Sequence, residues 1–417
     1  MLNFVMVCFG MMLAGASYSI PTPIFPQEAL ERGISVSQSG IVMGSAYLAT
    51  FTFTPFCGVV IGKFGIRSLF LAGVFITGVG NILFGFLSYI HDGTLYFIVS
   101  LVIRIFTALG ESIVVPTAYQ LGSNQVSEAN KGKATSIVES CFGIGTVFGP
   151  VLGGFLYNLG GFEFPFWLSG LVAMIICLFS SCFLKEKPKE EIEMSIRDIG
   201  WGDVLECKGI LVYAIGTAVM GSCDAWWEAS LGPYLDDNFQ LDSQMIGLII
   251  TCNSLAYTFS APLFGLFIDR GLSPFHAVCV GNMIAMVGML LLGPVPGLES
   301  LRNIPAIVTA MVLLGLGSTS SLIGGLLGLM ECSRTNKLPQ TDQTHGLMSS
   351  LWLLSLCIGN FVGAGLGSVT FDQVGFSWSC SIEAVIIGVS VLLFCVCYAS
   401  RRTERTIEYQ RIPTNVI

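Results

Sequence analysis

Twelve apolar stretches, each about as long as a membrane-spanning helix, follow one another along this chain. A helix needs about 20 predominantly apolar residues to cross a bilayer, and by that measure we place spans at residues 2–22, 38–60, 68–90, 94–116, 133–157, 164–184, 209–231, 244–267, 275–295, 304–330, 346–369 and 377–399. Charged residues make up only 11% of the chain, whereas soluble domains carry about 25%. The sequence therefore predicts an all-α membrane protein with twelve transmembrane helices.

Lys and Arg are distributed very unevenly between the loops on the two sides of the membrane. Sixteen of the 19 basic residues lie on one side, two (Arg32 and Arg302) lie on the other, and Arg104 lies within the fourth span. Because loops rich in Lys and Arg stay in the cytoplasm, we expect both termini to be cytoplasmic. The opposite loops, lumenal or extracellular, are acidic. The net charge of −8 argues against a surface that binds nucleic acid.

The two halves of the chain resemble each other in sequence. Residues 54–58 correspond to residues 261–265, and Gly40 corresponds to Gly247, at a constant offset of 207 positions. We therefore predict an N-terminal six-helix half, a charged cytoplasmic linker with room for a short interfacial helix, a C-terminal six-helix half and a cytoplasmic tail, at residues 1–184, 185–208, 209–399 and 400–417. Parallel repeats of this kind place a substrate site between the halves, near the middle of the membrane.

Two motifs in the chain have a demanding order of residues. The fifth span contains Gly-Pro-Val-Leu-Gly-Gly at 149–154, where glycines let a neighbouring helix approach closely and the proline permits a bend. The loop after the eighth span reads Gly-Leu-Phe-Ile-Asp-Arg-Gly at 265–271, and the loop after the second span has glycine in place of that aspartate. Both motifs resemble signatures of the major facilitator superfamily. The resemblance implies coupling or gating roles for Gly149, Pro150, Gly153, Gly154, Asp269 and Arg270.

Further stretches are similar to one family within that superfamily. Residues 17–26, 292–296 and 375–378 resemble segments of the vesicular amine transporters, above all of the branch implicated in polyamine transport, and Glu228 stands where that family keeps a transport carboxylate. The resemblance implies a proton-coupled antiporter that moves an organic cation, such as a polyamine or another amine, across an intracellular vesicle membrane. The first span has no acid, so a monoamine is not the expected substrate.

Several ionisable residues fall within the predicted spans, where each charge costs about 2.5 to 3.5 kcal/mol to insert. Arg104 and Glu111 are seven residues apart in the fourth span, and Asp224 and Glu228 are four apart in the seventh, so each pair is predicted to share a helix face. All three histidines lie at or just beyond the ends of the predicted spans and are expected to belong to loops, which leaves carboxylates as the expected proton carriers. We predict that Glu139, Glu228, Asp224 and Glu111 bind protons or substrate and that Arg104 couples the two halves.

Two other acids are assigned less direct roles. Glu331 ends the tenth span and is expected to face the cytoplasm or a gate. Glu383 lies early in the twelfth span, which is usually peripheral, and its side chain is expected to reach the membrane interface.

Aromatic residues near these acids predict a site for a cation. A cation over an aromatic ring gains about 0.5 to 2 kcal/mol. The predicted aromatic cavity consists of Trp226, Trp227, Tyr257 and Trp352. For the two adjacent tryptophans, an interfacial belt is the alternative interpretation.

Other classes of function have less support in the sequence. We find no nucleophile–base set, phosphate-binding loop or set of metal ligands, so we expect neither an enzyme nor a bound cofactor. The expected driving force is a proton gradient. The expected partners are protons, a cationic small molecule and the lipid bilayer, with the chain as a monomer. A facilitator or antiporter of a neutral or anionic metabolite, anchored by Arg104, and a non-transporting sensor on the same fold remain alternatives.

Overall fold

The computed structural model describes residues 2–124, 131–184, 201–207, 209–270, 272–294, 302–336, 338–339 and 342–411, and over these ranges it contains helices and no strand. The helices are α1 (Leu2–Ser19), α2 (Phe25–Glu31), α3 (Val36–Phe64), α4 (Ile66–Gly85), α5 (Gly93–Asn124), α6 (Lys131–Gly160), α7 (Glu163–Phe183), α8 (Trp201–Leu205), α9 (Ile210–Trp226), α10 (Leu231–Phe239), α11 (Ser243–Asp269), α12 (Pro274–Leu292), α13 (Ile304–Thr335), α14 (Asp342–Val374) and α15 (Phe376–Arg411). A short 3₁₀ helix, Phe86–Tyr89, continues α4.

Twelve spans cross the membrane, when α9 and α10 are taken as one interrupted span. Ten of them are long and apolar enough within the described part of the chain. The shorter apolar helix α1 and the 29-residue helix α3 complete the set. The predicted fold, two six-helix halves of an all-α membrane protein, is confirmed.

The internal repeat extends to the short helices. In each half, the first long helix, α1 or α9, is followed by a short helix, which begins at Phe25 in α2 and at Leu231 in α10. These two short helices contact each other. The two halves therefore correspond not only in their sequence motifs but also in these short helices, whose sequences differ.

Glycines of α6 allow this helix to lie directly against α1. A Cβ atom at Gly149 would meet the Ser19 hydroxyl and come within 3.0 Å of the Ala16 carbonyl oxygen. At Gly153, a Cβ atom would lie 2.9 Å from the Ile20 carbonyl oxygen. A backbone carbonyl cannot move aside as a flexible side chain can, so larger residues here would push the helices apart. The close packing predicted for the glycine motif is present.

The two halves meet through α6 and α11 at one end of the bundle. Gly247 of α11 faces the backbone of Pro150, whose carbonyl carbon would lie 3.0 Å from a Cβ at that glycine. Nearer the end of the helices, Asn158 Nδ2 donates to Asp242 Oδ2 at 2.7 Å.

The pair α3 and α14 repeats this arrangement. The backbone N–H and the hydroxyl of Ser37 donate to Asp372 Oδ2, at 2.8 and 2.5 Å. A Cβ at Gly44 would lie 3.2 Å from the Ala364 Cβ. We call the end marked by these two inter-half contacts, Ser37–Asp372 and Asn158–Asp242, the closed end. It is the end that the loop charges predict to be lumenal.

Part of the predicted linker is folded against the C-terminal half. Val204 and Cys207, in and just after α8, are buried with residues of α13 and α14. Trp201 and Leu205 are exposed. The short helix is thus amphipathic, as an interfacial helix is expected to be. Residues 185–200 of the linker lie outside the described residues.

Candidate functional site

The seventh span is broken where its acids lie. Helix α9 ends at Trp226, a turn covers residues 227–230, and α10 begins at Leu231. Pro233 explains the break, because in a continuous helix its ring would clash with the carbonyl group of Ala229 and it has no N–H to donate. Transporters often place such interrupted helices at their binding sites, since irregular backbone within a membrane is tolerated only inside the protein.

This break corrects the prediction that Asp224 and Glu228 share one helix face. Glu228 lies in the turn, where its N–H donates to the Ala225 carbonyl oxygen at 3.3 Å. Its charge still acts on Asp224, but the two side chains bond in different directions. Residues four apart share a face only in a continuous helix, and the helix is interrupted between these two.

Glu228 is bonded to the other half of the protein. The hydroxyl of Tyr47, on α3, lies 2.8 and 2.7 Å from the two carboxyl oxygens of Glu228. The hydroxyl of Tyr18, at the end of α1, donates in turn to the Tyr47 hydroxyl. The two rings meet edge to face, with centroids 5.7 Å apart. Two tyrosines that the sequence analysis did not select therefore connect the acid of the C-terminal half to the N-terminal half.

Arg104 extends this connection into α5. Its guanidinium is buried, with 3% of the residue exposed, and Nη2 donates to the Tyr18 carbonyl oxygen at 3.2 Å. Its Nε has no hydrogen-bond partner. The charge of Arg104 acts on both Glu228 and Glu111. We name the set Tyr18, Tyr47, Arg104 and Glu228 the inter-half network.

Glu111 lies deeper in the N-terminal half. It follows Arg104 by two turns of the uninterrupted helix α5, as predicted, and it is buried. One carboxyl oxygen, Oε1, has no hydrogen-bond partner. The described residues contain no ion pair between Glu111 and Arg104, so the acid belongs to the surroundings of the network rather than to its chain of hydrogen bonds.

Asp224 is held within the C-terminal half. Its Oδ1 accepts a hydrogen bond from the hydroxyl of Ser318, a buried residue of α13. The neighbouring Thr319 is buried too and donates to the Tyr257 carbonyl oxygen at 3.1 Å. Ser318 was not among the predicted site residues, although a serine within an apolar span is a common partner for a buried acid.

The structure does not bring the four predicted aromatic residues into one cavity. Trp226 is 1% exposed and donates from Nε1 to the Ser379 hydroxyl of α15 at 2.9 Å. Trp227 is buried in the same core. The predicted cavity wall is therefore wrong for these two residues in this conformation, and so is an interfacial belt, because both rings pack between helices. Trp352 donates to the Leu322 carbonyl oxygen at 3.0 Å, and Tyr257 of α11 is more exposed than the others.

Two of the remaining predicted residues have side chains outside what the structure describes, and a third is described. Glu139 belongs to α6 and Asp269 ends α11, but their side chains are outside the described residues. Arg270 follows α11 and is exposed. Their predicted roles stay predictions. Glu331 is exposed near the end of α13.

The prediction for Glu383 is wrong. The residue is 0% exposed, and neither carboxyl oxygen has a hydrogen-bond partner. Its helix α15 packs against α9, α12 and α14, so this part of the twelfth span is interior rather than peripheral.

Comparison with known proteins identifies the family. The model of the Major Facilitator Superfamily matches residues 7–226 and 213–413, one match for each half. The chain belongs to the major facilitator superfamily. Proteins of this superfamily with similar sequences are transporters rather than enzymes, and this chain is likewise a multi-pass membrane transporter.

Individual proteins with similar sequences point to one family within the superfamily. The human MFS-type transporter SLC18B1 is 28% identical over 391 residues, which cover 92% of this chain and 84% of the relative. The SLC18B1 protein of Rattus norvegicus is 29% identical over 403 residues, or 94% and 86% of the two chains. The predicted resemblance to the vesicular amine transporter family is confirmed.

A solved structure of this superfamily has the same fold. It is a bacterial homologue of the human lysosomal transporter Spinster, in an inward-facing and occupied conformation, with a TM-score of 0.74 and 12% sequence identity. The match covers 95% of this chain and 96% of the other. At that identity, the similarity concerns the fold.

Proposed function

We propose that this transporter is a proton-coupled antiporter that moves an organic cation, with polyamines as the first candidates, across the membrane of an intracellular vesicle. The observation that carries the proposal is the inter-half network, in which a partly exposed carboxylate at a helix break is bonded to the opposite half through two tyrosines. The similarity to SLC18B1 transporters supports the choice of substrate class and of a vesicle membrane.

The charges of the network favour a cation. Glu228 is partly exposed, whereas Arg104 is buried and already donates to a backbone carbonyl group. A negatively charged substrate could bind the free Nε of Arg104, but it would then lie against the negative charge of Glu228. A cation would instead meet a carboxylate and the rings of Tyr18 and Tyr47, which add cation–π attraction. The alternative of an anionic metabolite therefore has less support.

Competition for one carboxylate would couple the two fluxes. A proton bound to Glu228 removes the negative charge that attracts an organic cation, and a bound cation occupies the same oxygens. In either case the hydrogen bonds from Tyr47 change, and these bonds join α3 to the break after α9. Occupancy of Glu228 would thereby bias the contact between halves, as alternating access requires.

The direction of access follows from the closed end. If that end is lumenal, as the loop charges predict, the described conformation is closed towards the lumen. Lumenal protons would then reach Glu228 only after the contacts Ser37–Asp372 and Asn158–Asp242 separate. Protons returning to the cytoplasm would drive the cation into the vesicle.

Uptake into proteoliposomes tests the proposed function. We expect purified protein to accumulate radiolabelled spermidine when the inside is acidic, and accumulation to cease when an ionophore collapses the pH gradient. Liposomes without protein give the control for leakage. Equal uptake with and without the gradient would contradict proton coupling, and no uptake in either state would contradict the choice of polyamine.

Tyr47→Phe isolates the contribution of one hydroxyl group. This variant keeps the ring but leaves Glu228 without the donor that lies 2.7 Å away, and loss of a hydrogen bond to a charged group costs about 1.5 to 3 kcal/mol. We expect gradient-driven uptake of spermidine to fall about tenfold or more. Tyr213→Phe, on α9 outside the network, is the matched control. Uptake unchanged in Tyr47→Phe would contradict the role of the inter-half network.

A further inference from the structure

Glu383 is the acid with the least compensation in the described part of the chain. It is 0% exposed, and neither Oε1 nor Oε2 has a hydrogen-bond partner. Glu228 and Asp224 differ in this respect, since they have Tyr47 and Ser318 as donors. Only one of the two carboxyl oxygens of Glu111 is buried without a partner. The Ser222 hydroxyl also acts on Glu383, but no positively charged group among the described residues does, so a negative charge at this buried site is unfavourable.

The groups around Glu383 are acidic or weakly acidic. Asp224 and Cys223 of α9 and Cys380 of its own helix are the groups whose charges interact with it. The other titratable or charged side chains described on the helices packed against α15 are farther along those helices: Tyr213 of α9, His276 and Cys279 of α12, Cys357 and Asp372 of α14, and Cys395 and Cys397 of α15. Arg302 contacts the first turn of α15 through the Ser377 hydroxyl, at 3.2 Å, and its side chain is exposed.

Asp224 interacts with both Glu383 and the inter-half network. Its carboxyl group interacts with the charge of Glu383 and with the charge of Glu228, and its helix α9 packs against α15. Asp224 is partly exposed, whereas Glu383 is wholly buried. A proton leaving Glu383 would therefore reach water most directly by way of Asp224.

We propose that Glu383 is a second proton-binding residue of the transport cycle, which exchanges its proton with Asp224. In this step, the O–H bond of the Glu383 carboxyl group breaks, an O–H bond forms on the Asp224 carboxylate, and one negative charge moves from Asp224 to Glu383. No other reactant is needed. The proposal rests on the proton coupling proposed above. It assigns one proton to Glu383, on the helix packed against α9, and the cation to a different residue, Glu228.

Infrared spectroscopy tests the proton on Glu383 without a substrate. Difference spectra of the purified protein in lipid, recorded as the pH is raised, should contain the carbonyl stretching band of a buried carboxylic acid that loses its proton. We expect Glu383→Gln to remove this band from the difference spectra. In Asp224→Asn the Glu383 carboxyl group should keep its proton, so the band is absent from the difference spectra but present in the absolute spectra at each pH. Glu331→Gln, at an exposed acid, is expected to give the wild-type spectra. Spectra of Glu383→Gln identical to those of the wild type would overturn the proposal, as would a band that does not respond to pH.

Transport measurements then test whether this proton takes part in the cycle. We expect Glu383→Gln to lower gradient-driven uptake of spermidine about tenfold or more, while exchange of labelled for unlabelled spermidine stays within about twofold of wild type. Full gradient-driven uptake, or equal loss of both activities, would overturn the proposal. If Glu383→Gln does not fold, Asp224→Asn, which removes the proposed partner of the proton exchange, is expected to lower gradient-driven uptake about tenfold or more as well. Absence of spermidine transport by the wild type contradicts the proposed substrate, while the infrared test still decides the role of Glu383.

Discussion

Replacing Glu228 by Gln is expected to abolish gradient-driven uptake of spermidine, with a loss of about 100-fold or more in initial rate. The amide has nearly the shape of the carboxyl group and still accepts a hydrogen bond from Tyr47. It can neither bind a proton at physiological pH nor attract a cation by charge. Folding should be preserved, because loss of a partly buried charge removes a cost of insertion into the membrane.

Two comparisons make this result specific to Glu228. Glu331→Gln removes a carboxylate that is exposed near the end of α13 and is expected to transport as the wild type does. Exchange of spermidine, which needs no net proton movement, should also fail in Glu228→Gln because the cation site is lost. Retention of exchange would mean that Glu228 carries the proton but does not bind the cation, and full gradient-driven uptake would refute both roles.

The inter-half network was only partly predictable from the sequence. Glu228 was selected because an acid in an apolar span is expensive and because its segment resembles a known family. Tyr18 and Tyr47 were not selected, although each places a hydroxyl group within an apolar span, where an unsatisfied polar group is also costly. Pairing each such hydroxyl with a buried acid would have identified them as candidates. Which of the acids they bond to depends on the packing of α1, α3 and the break after α9.

The break itself has a signal in the sequence that was not used. Pro233 follows Glu228 by five residues, and a proline excludes a regular helix around the fourth residue before it. Treating the seventh span as continuous therefore gave Asp224 and Glu228 a common face. The tryptophan prediction failed for a different reason. Sequence position does not distinguish an aromatic side chain at a cavity from one between helices, and Trp226 found a partner on α15.

The fold was predictable because bilayer thickness sets the length of every span. The internal sequence repeat then indicates that the spans form two halves of six helices each. The burial of Glu383 was not predictable, because the expectation of a peripheral twelfth span describes a typical transporter. Here α15 contacts α9, α12 and α14, and residue 383 lies on the side of the helix that packs inward. Only the packing of all four helices determines that side.

Replacement by valine is expected to affect stability at one glycine near the contact of the two halves, and transport without loss of stability at another. Gly149 packs α6 against α1 within one half, where a Cβ would come within 3.0 Å of the Ala16 carbonyl oxygen. Overpacking of this kind costs about 1 to 3 kcal/mol or more. Gly149→Val should therefore lower the melting temperature and the yield of folded protein. Its loss of transport would follow from loss of structure.

Gly247 packs α11 against α6 across the two halves, beside the carbonyl group of Pro150. The contact exists only while the closed end is closed, so a larger residue leaves each half intact and prevents their approach. We expect Gly247→Val to keep the wild-type melting temperature and bind spermidine, but to lose both uptake and exchange by about 100-fold or more, because each activity requires both conformations. Gly365→Val, at a site with nothing within 4 Å of the new Cβ, is the matched control. Exchange at the wild-type rate in Gly247→Val, or a melting temperature lowered as in Gly149→Val, would show that this glycine does not serve closure. The difference between the two variants follows from the partner helix alone, since a contact within a half is permanent and a contact between halves must break in every cycle.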